Sequence, residues 1–398
     1  MKRIIGMAAT MLLSTTIATG QTAEKDTTKV IQQNNSFATS LLKAANNVIK
    51  DENFCLSPAS AMWALAMSAN GADGKTAKEI YTALGYPAAY QSREAFNGMQ
   101  HAGIEKMKED NDKYLQINIA NSIWIDNKID VKELFKNTSE RYYNAAVRSV
   151  PLSTAAGEIS SWCSKETNGR INNIIDRLPS TSQMAIVNAL WFKGQWLSSF
   201  MKEATSKQKF KKADGKTIDV DMMKGARFAP YYEDDFIQAT ARPFENFEYS
   251  MLFILPREGI STEAAIERIA QIYNSDFANG EKYYFDLEVP KFKIEFGADI
   301  TPILKEMGIK RAFTQKADFS GISNSELSID NVIQKNYISI DEVGVEAAGA
   351  TALMRCGFMP PPPEKEKRIR LDRPFIFIIR ENNSGAILFM GHVGNPNQ

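Results

Sequence analysis

The sequence predicts an α+β protein that folds as one large domain, and three observations support this prediction. Helical patterns dominate the first part of the chain, whereas compact apolar strand patterns dominate the second part. Several of those strands are apolar on both faces, so each must be covered on both sides. No stretch rich in proline, glycine and serine separates the two parts, and we therefore expect a single domain over residues 21–398.

The first twenty residues have the pattern of a secretory signal peptide. Lys2 and Arg3 form a basic start, residues 4–13 form a short apolar run, and Ala18-Thr19-Gly20 offers small residues at a cleavage site. The apolar run is too short for a membrane-spanning helix. We expect residues 1–20 to be removed and the mature protein to be secreted, into either the extracellular space or a periplasm.

Helices are predicted where apolar residues recur at helical spacing. Ser57-Pro58 marks the start of one of them, because proline is tolerated in a first helical turn, and this helix runs to Gly71. Gly169 marks the end of another. The predicted helices cover residues 34–49, 58–71, 76–84, 131–143 and 158–168, and one alternating strand covers residues 117–125.

Strands are predicted mainly after residue 180. Residues 374–380 and 386–393 form an apolar pair joined by turn residues from Glu381 to Gly385, which is typical of a hairpin. The other strong strand patterns cover residues 184–192, 249–255 and 283–290, and a further strand ends at Ile340.

Charge and residue usage exclude several function classes. The 47 basic and 47 acidic side chains balance, so nothing in the composition favours a nucleic-acid or membrane partner. The only histidines, His101 and His392, are predicted to be surface or edge residues, which makes a hydrolase unlikely. The cysteine spacing fits no zinc site, and we expect no metal and no cofactor. Cys55 and Cys163 lie beside apolar residues and are predicted to be buried.

A long segment after Ile340 lacks apolar periodicity. It is small and neutral from Ala347 to Ala350, contains four prolines at 360–363, and ends before the strand at Pro374. Long loops of this kind inside compact domains are usually functional or disordered. The part before Pro360 contains no proline, so it could join a β-sheet with little steric cost. Composition alone favours a flexible linker.

At this segment the chain resembles the inhibitory serpins, and the resemblance extends over nearly the whole mature sequence. The segment from Asp341 to Thr351 is similar to the reactive-loop hinge of that family, with its glutamate, glycine, second glutamate and run of alanines. Six further blocks match in the family's order: 53–60, 167–171, 187–196, 289–292, 317–322, and 372–375 together with 389–396.

The resemblance implies a serpin fold with three β-sheets, eight or nine helices and an exposed reactive-centre loop over about residues 342–370. It also implies suicide inhibition of a serine protease. In that mechanism the protease cleaves the loop and forms an acyl-enzyme, and the cut loop then inserts into the main sheet and traps the protease covalently. The hinge residues implied are Glu342, Gly344, Val345, Glu346, Ala347, Ala348, Gly349, Ala350 and Thr351.

The family's spacing from Glu342 places the cleaved bond at Phe358–Met359, which suits a chymotrypsin- or cathepsin-G-like pocket. Other bonds remain open. Cleavage after Arg355 would suit a trypsin-like enzyme, and cleavage after Met354 or Cys356 would suit an elastase-like one. Cys356 is either a bait side chain, a redox-sensitive thiol or an incidental free cysteine.

The resemblance also implies a region where the main sheet opens. Serpins usually carry a histidine at the position of Gln334, where it bonds with a serine and an asparagine. Ser57, Ser60 and Asn188 are the expected partners here, and an amide can both donate and accept hydrogen bonds. The family's pH sensitivity from that histidine is therefore expected to be absent. Trp196 is expected to plug the top of the sheet.

Two other functions are alternatives to the inhibition of a serine protease. A non-inhibitory serpin that acts as a binding or chaperone-like protein would be expected to carry bulky, charged or proline residues at the hinge. Val345 to Thr351 contain no proline and only one charge, Glu346, which belongs to the inhibitory hinge pattern that the segment resembles. An inhibitor of a papain-like cysteine protease is compatible with the same loop. In each case we expect a monomer that does not act as an enzyme.

Overall fold

The computed structural model describes residues 28–50, 52–275, 280–345 and 367–398. In this part of the chain there are eight α-helices, in agreement with the predicted eight or nine. They are α1 (28–48), α2 (Pro58–Gly71), α3 (Gly74–Ala83), α4 (Arg93–Glu109), α5 (Glu133–Tyr143), α6 (Ala156–Glu166), α7 (Thr262–Ile272) and α8 (Thr301–Glu306).

Fifteen strands lie in the same described residues. They are β1 (Asn53–Leu56), β2 (Leu115–Asp126), β3 (Ala146–Val150), β4 (Met184–Gln195), β5 (Ser206–Lys211), β6 (Thr217–Glu233), β7 (Ile237–Pro243), β8 (Tyr249–Pro256), β9 (Lys282–Pro290), β10 (Phe292–Asp299), β11 (Asn331–Ile340), β12 (Gly344–Val345), β13 (Lys367–Arg370), β14 (Phe375–Glu381) and β15 (Ile387–Val393).

The strands form three sheets, as predicted. The main sheet has the order β10-β11-β12-β4-β2-β3, and β11 also pairs directly with β4. A second sheet has the order β1-β15-β14-β8-β7-β6. The long strand β6 continues from it into a third sheet, where it pairs with β5 and β9, and β13 forms the edge beyond β9.

Helix α2 is buried on nearly all sides and lies against the main sheet and β15. Its N-cap is Ser57, whose side chain accepts a hydrogen bond from the Ser60 N–H at 3.2 Å. Helix α6 covers part of the opposite face of the main sheet, where Ile159 and Cys163 pack with Val187 and Ile333. The main sheet is therefore covered on both faces, as its apolar strands require.

Each helix and strand predicted from the sequence is present, with boundaries that shift by a few residues. The first helix begins earlier than predicted, at residue 28, and α6 ends before Gly169, whose φ of +75° suits glycine after a helix. Cys55 and Cys163 are buried free thiols, as predicted.

The prediction for His392 was wrong. This residue lies on β15, which is an inner strand between β1 and β14, and its ring packs against Phe54 with 5.9 Å between the centroids. His101 lies on α4, where it is half-buried with Nδ1 3.2 Å from the carbonyl oxygen of Tyr142.

Candidate functional site

The site predicted from the sequence begins where β11 ends and the chain turns back into the main sheet. Val345, which follows the turn, is the last residue that the structure describes before residue 367. Lys367 begins β13, which belongs to a different sheet. The hinge residues Glu346, Ala347, Ala348, Gly349, Ala350 and Thr351 and the bait candidates Met354, Arg355, Cys356, Phe358 and Met359 lie outside the described residues.

Residues 341–344, which we call the hinge turn, reverse the chain tightly. The carboxylate of Asp341 accepts hydrogen bonds from the N–H groups of Val343, at 2.8 Å, and Gly344, at 3.1 Å. The Asp341 N–H donates to the Gly344 carbonyl at 3.0 Å. This local bonding is a typical aspartate turn. It directs Gly344 and Val345 back between β11 and β4, where they form β12.

Gly344 is required by close approach of the backbone to β4. A Cβ atom at this position would overlap the carbonyl oxygen of Gly194 and lie only 2.8 Å from the Cα of Gln195. The neighbouring Val345 is fully buried and pairs with both Ile340 and Gly194. The first residues of the hinge therefore already occupy a strand position in the main sheet.

Glu342 points away from the hinge turn into a polar contact with two other elements. Its Oε1 accepts hydrogen bonds from Lys291 Nζ at 2.7 Å and Thr205 Oγ1 at 2.8 Å, and the residue is 4% exposed. Burial alone would raise the pKa of Glu342, but the bonds from Lys291 and Thr205 outweigh it and hold the pKa below its usual value. The carboxylate is therefore charged at neutral pH.

A segment after β4, residues 196–200, holds the hinge turn from the other side, and we call it the clamp segment. Trp196 donates its N–H to the Val343 carbonyl at 2.9 Å and its indole N–H to the Asp341 carbonyl at 3.1 Å. Phe200 donates its N–H to the Glu342 carbonyl at 2.8 Å. Trp196 thus lies against the hinge turn, at the end of the main sheet where β12 pairs with β4.

Below β12 the two central strands close directly on each other. β11 runs parallel to β4, with residues 331–337 paired to residues 185–191, and we call this contact the seam. Gln334 lies opposite Asn188 in that register. A strand that continued from β12 would have to separate the seam, because β12 already lies between the same two strands.

Gln334 joins the seam to the start of α2. Its Oε1 accepts the Ser57 N–H at 2.9 Å, and its Nε2 donates to the Ser57 carbonyl at 3.0 Å. The same Oε1 accepts a bond from Asn336 Nδ2 at 2.9 Å. Because Gln334 is 1% exposed, this amide satisfies its buried hydrogen-bonding groups without any ionisable side chain.

The predicted partners of Gln334 are only partly correct. Ser57 bonds through its backbone rather than its hydroxyl, whereas Ser60 N–H bonds to the Ser57 Oγ. Asn188 Nδ2 donates to Asn121 Oδ1 at 2.6 Å. The glutamine side chain is long enough to reach the backbone at the start of α2, so it makes a different set of contacts from the one the sequence suggested.

Sequence reasoning missed most of the groups that hold the hinge turn and the seam. At the hinge turn they are the side chains of Lys291 and Thr205 and the backbone N–H of Phe200. At the seam they are the amide side chains of Asn336 and Asn121. They come from distant parts of the chain, and none belongs to a local motif that predicts its role. Asp341 could have been identified, since an aspartate side chain at the start of a turn often accepts hydrogen bonds from backbone N–H groups that follow it.

The arrangement suits a mechanical rather than a catalytic role. One strand position is occupied at the top of the main sheet, and the seam lies directly beneath it.

The described residues contain no group of three or more His, Cys, Asp or Glu side chains that could hold a metal ion. Among those residues, no helix is both long enough and apolar enough to cross a bilayer.

Comparison with known proteins agrees with this geometry. The sequence model of the family described as "Serpin (serine protease inhibitor)" matches residues 32–396. An uncharacterized serpin-like protein of Thermococcus kodakarensis is 34% identical, with 92% of this chain and 86% of the relative covered. The leukocyte elastase inhibitor of Equus caballus is 30% identical, with 91% of this chain and 98% of the relative covered.

A solved structure shows the same fold. The native state of tengpin, a thermophilic serpin, superposes with a TM-score of 0.84 at 29% identity, with 92% of this chain and 94% of tengpin covered. The family is described as one of serine protease inhibitors rather than enzymes, and this protein is not an enzyme. With a family match over most of its length and the same three-sheet fold, the chain belongs to the serpin family.

Proposed function

We propose that the protein is a secreted suicide-substrate inhibitor of a serine endopeptidase with a chymotrypsin-, cathepsin-G- or elastase-like pocket. The observation that carries the proposal is the position of Gly344 and Val345, which already pair between β11 and β4 above the seam. After cleavage beyond Val345, the chain could continue this strand down the seam and carry a bound acyl-enzyme with it.

The physical requirement for such an inhibitor is a hinge that enters the sheet faster than water releases the protease. Val345 is buried with no polar side-chain group, and the residues from Ala347 to Thr351 are small and free of proline. Val345 and residues 347–351 can therefore enter between two strands without burying a charge or losing a backbone N–H donor, and Glu346 is the one charged residue among residues 345–351. The name of the horse relative, a leukocyte elastase inhibitor, supports the same class of target.

The first experiment is to incubate the mature protein with chymotrypsin, elastase and trypsin in turn. We expect an SDS-stable complex with at least one of them. The mass of the released C-terminal peptide identifies the bond: a peptide starting at Met359 places it after Phe358, and one starting at Cys356 places it after Arg355. Cleavage by every enzyme without a stable complex would contradict the inhibitory function.

A hinge variant tests the mechanism separately from the bait. Val345→Arg places a charge where the structure has a fully buried valine, so strand entry should become slow. We expect this variant to be cleaved at the same bond as the wild type but to form little or no stable complex. Val345→Ala, which keeps the site small and uncharged, is the matched control and should retain most of the complex.

Residues 1–20 are proposed to be the signal peptide, followed by a single mature domain that acts as a monomer. Inhibition of a papain-like cysteine protease is the alternative target class, and the same incubation with papain tests it. The non-inhibitory alternative lacks a supporting feature at the hinge, since Gly344 and Val345 fit the sheet without distortion.

A further inference from the structure

Arg242 is a buried cation beneath the clamp segment. It lies on β7, two residues before Phe244, and is 3% exposed. Arginine is rarely buried to this extent unless its guanidinium group makes specific contacts, because removing the charge from water is costly. Its contacts therefore show what the residue stabilises.

The guanidinium group contacts the clamp segment at three points. Its Cζ lies 3.7 Å from the ring centroid of Phe200 and 5.2 Å from that of Trp196. Its Nη2 also donates a hydrogen bond to the Ser198 carbonyl. One side chain thus touches the beginning, the middle and the end of residues 196–200.

The same residues carry the hydrogen bonds that restrain the hinge turn. Trp196 bonds to the carbonyls of Val343 and Asp341, and Phe200 bonds to the carbonyl of Glu342. Phe244, which follows β7, also holds Trp196 in place. The two rings stack with 4.8 Å between their centroids and an interplanar angle of 8°. Arg242 does not touch the hinge turn in any of these contacts but holds the groups that do.

We propose that Arg242 is a positioning residue that fixes the clamp segment and thereby restrains the hinge turn until the loop is cleaved. An aromatic face attracts a desolvated guanidinium group more strongly than an exposed one, and a charge-assisted hydrogen bond adds to this. Because arginine stays protonated throughout the pH range of stable proteins, this restraint carries no pH dependence of its own. The consequence for inhibition rests on the function proposed above, but the restraint itself does not.

Hydrogen exchange tests the restraint directly. Arg242→Met keeps an unbranched apolar side chain and removes the positive charge. Arg242→Lys keeps the charge but lacks the planar guanidinium group that stacks on aromatic rings. We expect Arg242→Met to raise the exchange rate of the Trp196 and Phe200 amides about tenfold, which corresponds to the loss of about 1.4 kcal/mol of local stability. Arg242→Lys should give an intermediate increase, and it carries the test if Arg242→Met does not fold.

The control is Ile266→Val in α7, a buried substitution distant in sequence from the clamp segment. It lowers overall stability by a similar amount without touching residues 196–200. If Arg242→Met raised exchange evenly across the protein, as Ile266→Val should, Arg242 would be an ordinary core residue and the proposal would be wrong.

A second readout separates this inference from the proposed function. We expect Arg242→Met to lose inhibitory activity about tenfold faster than the wild type during incubation at 37 °C, while the freshly prepared variant is still cleaved at the same bond. An unchanged rate of loss, together with unchanged exchange at Trp196 and Phe200, would overturn the proposal. If the wild type inhibits no protease, the proposed function fails and the exchange measurement alone decides the role of Arg242.

Discussion

Single residues decide whether the hinge turn can occupy its position in the main sheet. Asp341 bonds to the turn's own backbone, Glu342 bonds to Lys291 and Thr205, and Gly344 lies against the backbone of β4. These contacts differ in kind, because the first two are polar and the third is purely steric. Their consequences can therefore be separated by substitution.

Gly344→Ala should destabilise the native protein because its Cβ would meet the backbone of Gly194 and Gln195, which cannot rotate away. Overpacking of this kind costs about 1–3 kcal/mol, and we expect thermal unfolding at a correspondingly lower temperature. Gly98→Ala in α4 is the matched control, since nothing lies within 4 Å of the added atom. That change should leave stability equal or raise it by up to about 1 kcal/mol. Equal effects from both substitutions would contradict the steric account.

His392 should make stability depend on pH. Burial holds the pKa of His392 down to about 4, although a hydrogen bond to the Glu52 backbone opposes this, and an unfolded histidine has a pKa of about 6.5. Between these values the unfolded chain binds a proton that the folded protein does not. The free energy of unfolding is therefore unaffected by His392 above about pH 6.5, and it decreases as the pH falls from there towards 4.

The measurement compares the denaturant-unfolding free energies of the wild type and His392→Gln from pH 5 to 8. The difference between the two proteins should change with pH, by at most about 1.4 kcal/mol per pH unit. His101 is common to both and cancels in the comparison. A difference that stays constant over this range would show that His392 is not held in its neutral form.

Among the elements, β13 is the short edge strand that anchors the far end of the loop. Lys367 forms an ion pair with Glu233, Arg368 forms one with Glu288, and the next residue, Ile369, is fully buried. The Lys367 ammonium group, together with Tyr231 and Arg257, holds the pKa of Glu233 down to about 2 against the effect of burial. The stabilisation of the folded protein by the charged Glu233 is therefore present above about pH 4.3, and it is lost as the pH falls towards 2.

Glu233→Gln should therefore loosen β13 at neutral pH. Because the glutamate side chain is 33% exposed, we expect a modest effect, with amide exchange of residues 367–370 about fivefold faster. Asp219→Asn is the matched control, since it breaks the exposed Lys209–Asp219 pair in the same sheet. That variant should leave exchange in β13 unchanged. A similar increase in both variants would mean that Glu233 has no special role in holding the strand.

The elements differ in how well the sequence predicted them. The strand at 184–192 and the helix at 58–71 were predicted because their apolar pattern or capping residues are local signals. The strands β5 and β6 were not, since β5 is mostly lysine and polar residues and depends on pairing with β6 for its conformation. The seam could not be predicted at all, because the parallel register of β11 and β4 joins residues far apart in the chain.

At the scale of the whole molecule, two sheets hold the ends of one segment. The main sheet holds Val345 in β12 and the third sheet holds Lys367 in β13, so the intact loop is tied to both. In the proposed function, cleavage between these two residues would remove the connection to β13 and would allow β12 to extend. The fold would then gain a strand that pairs on both sides, with β11 and with β4, in place of the single seam.

Cleavage within residues 346–366 should consequently raise the thermal stability of the protein. A strand inserted along the seam would add on the order of ten net ladder hydrogen bonds, each contributing about 1 kcal/mol, and a rise in Tm of at least about 10 °C is expected. Calorimetry of intact and cleaved protein measures this, with Val345→Arg as the control, because a charge in the sheet should prevent most of the gain. If the cleaved wild type unfolds at the same temperature as the intact protein, the strand does not enter the seam. In that case the proposed mechanism loses its driving force, because the free energy that would outrun deacylation comes from this same gain in strand pairing.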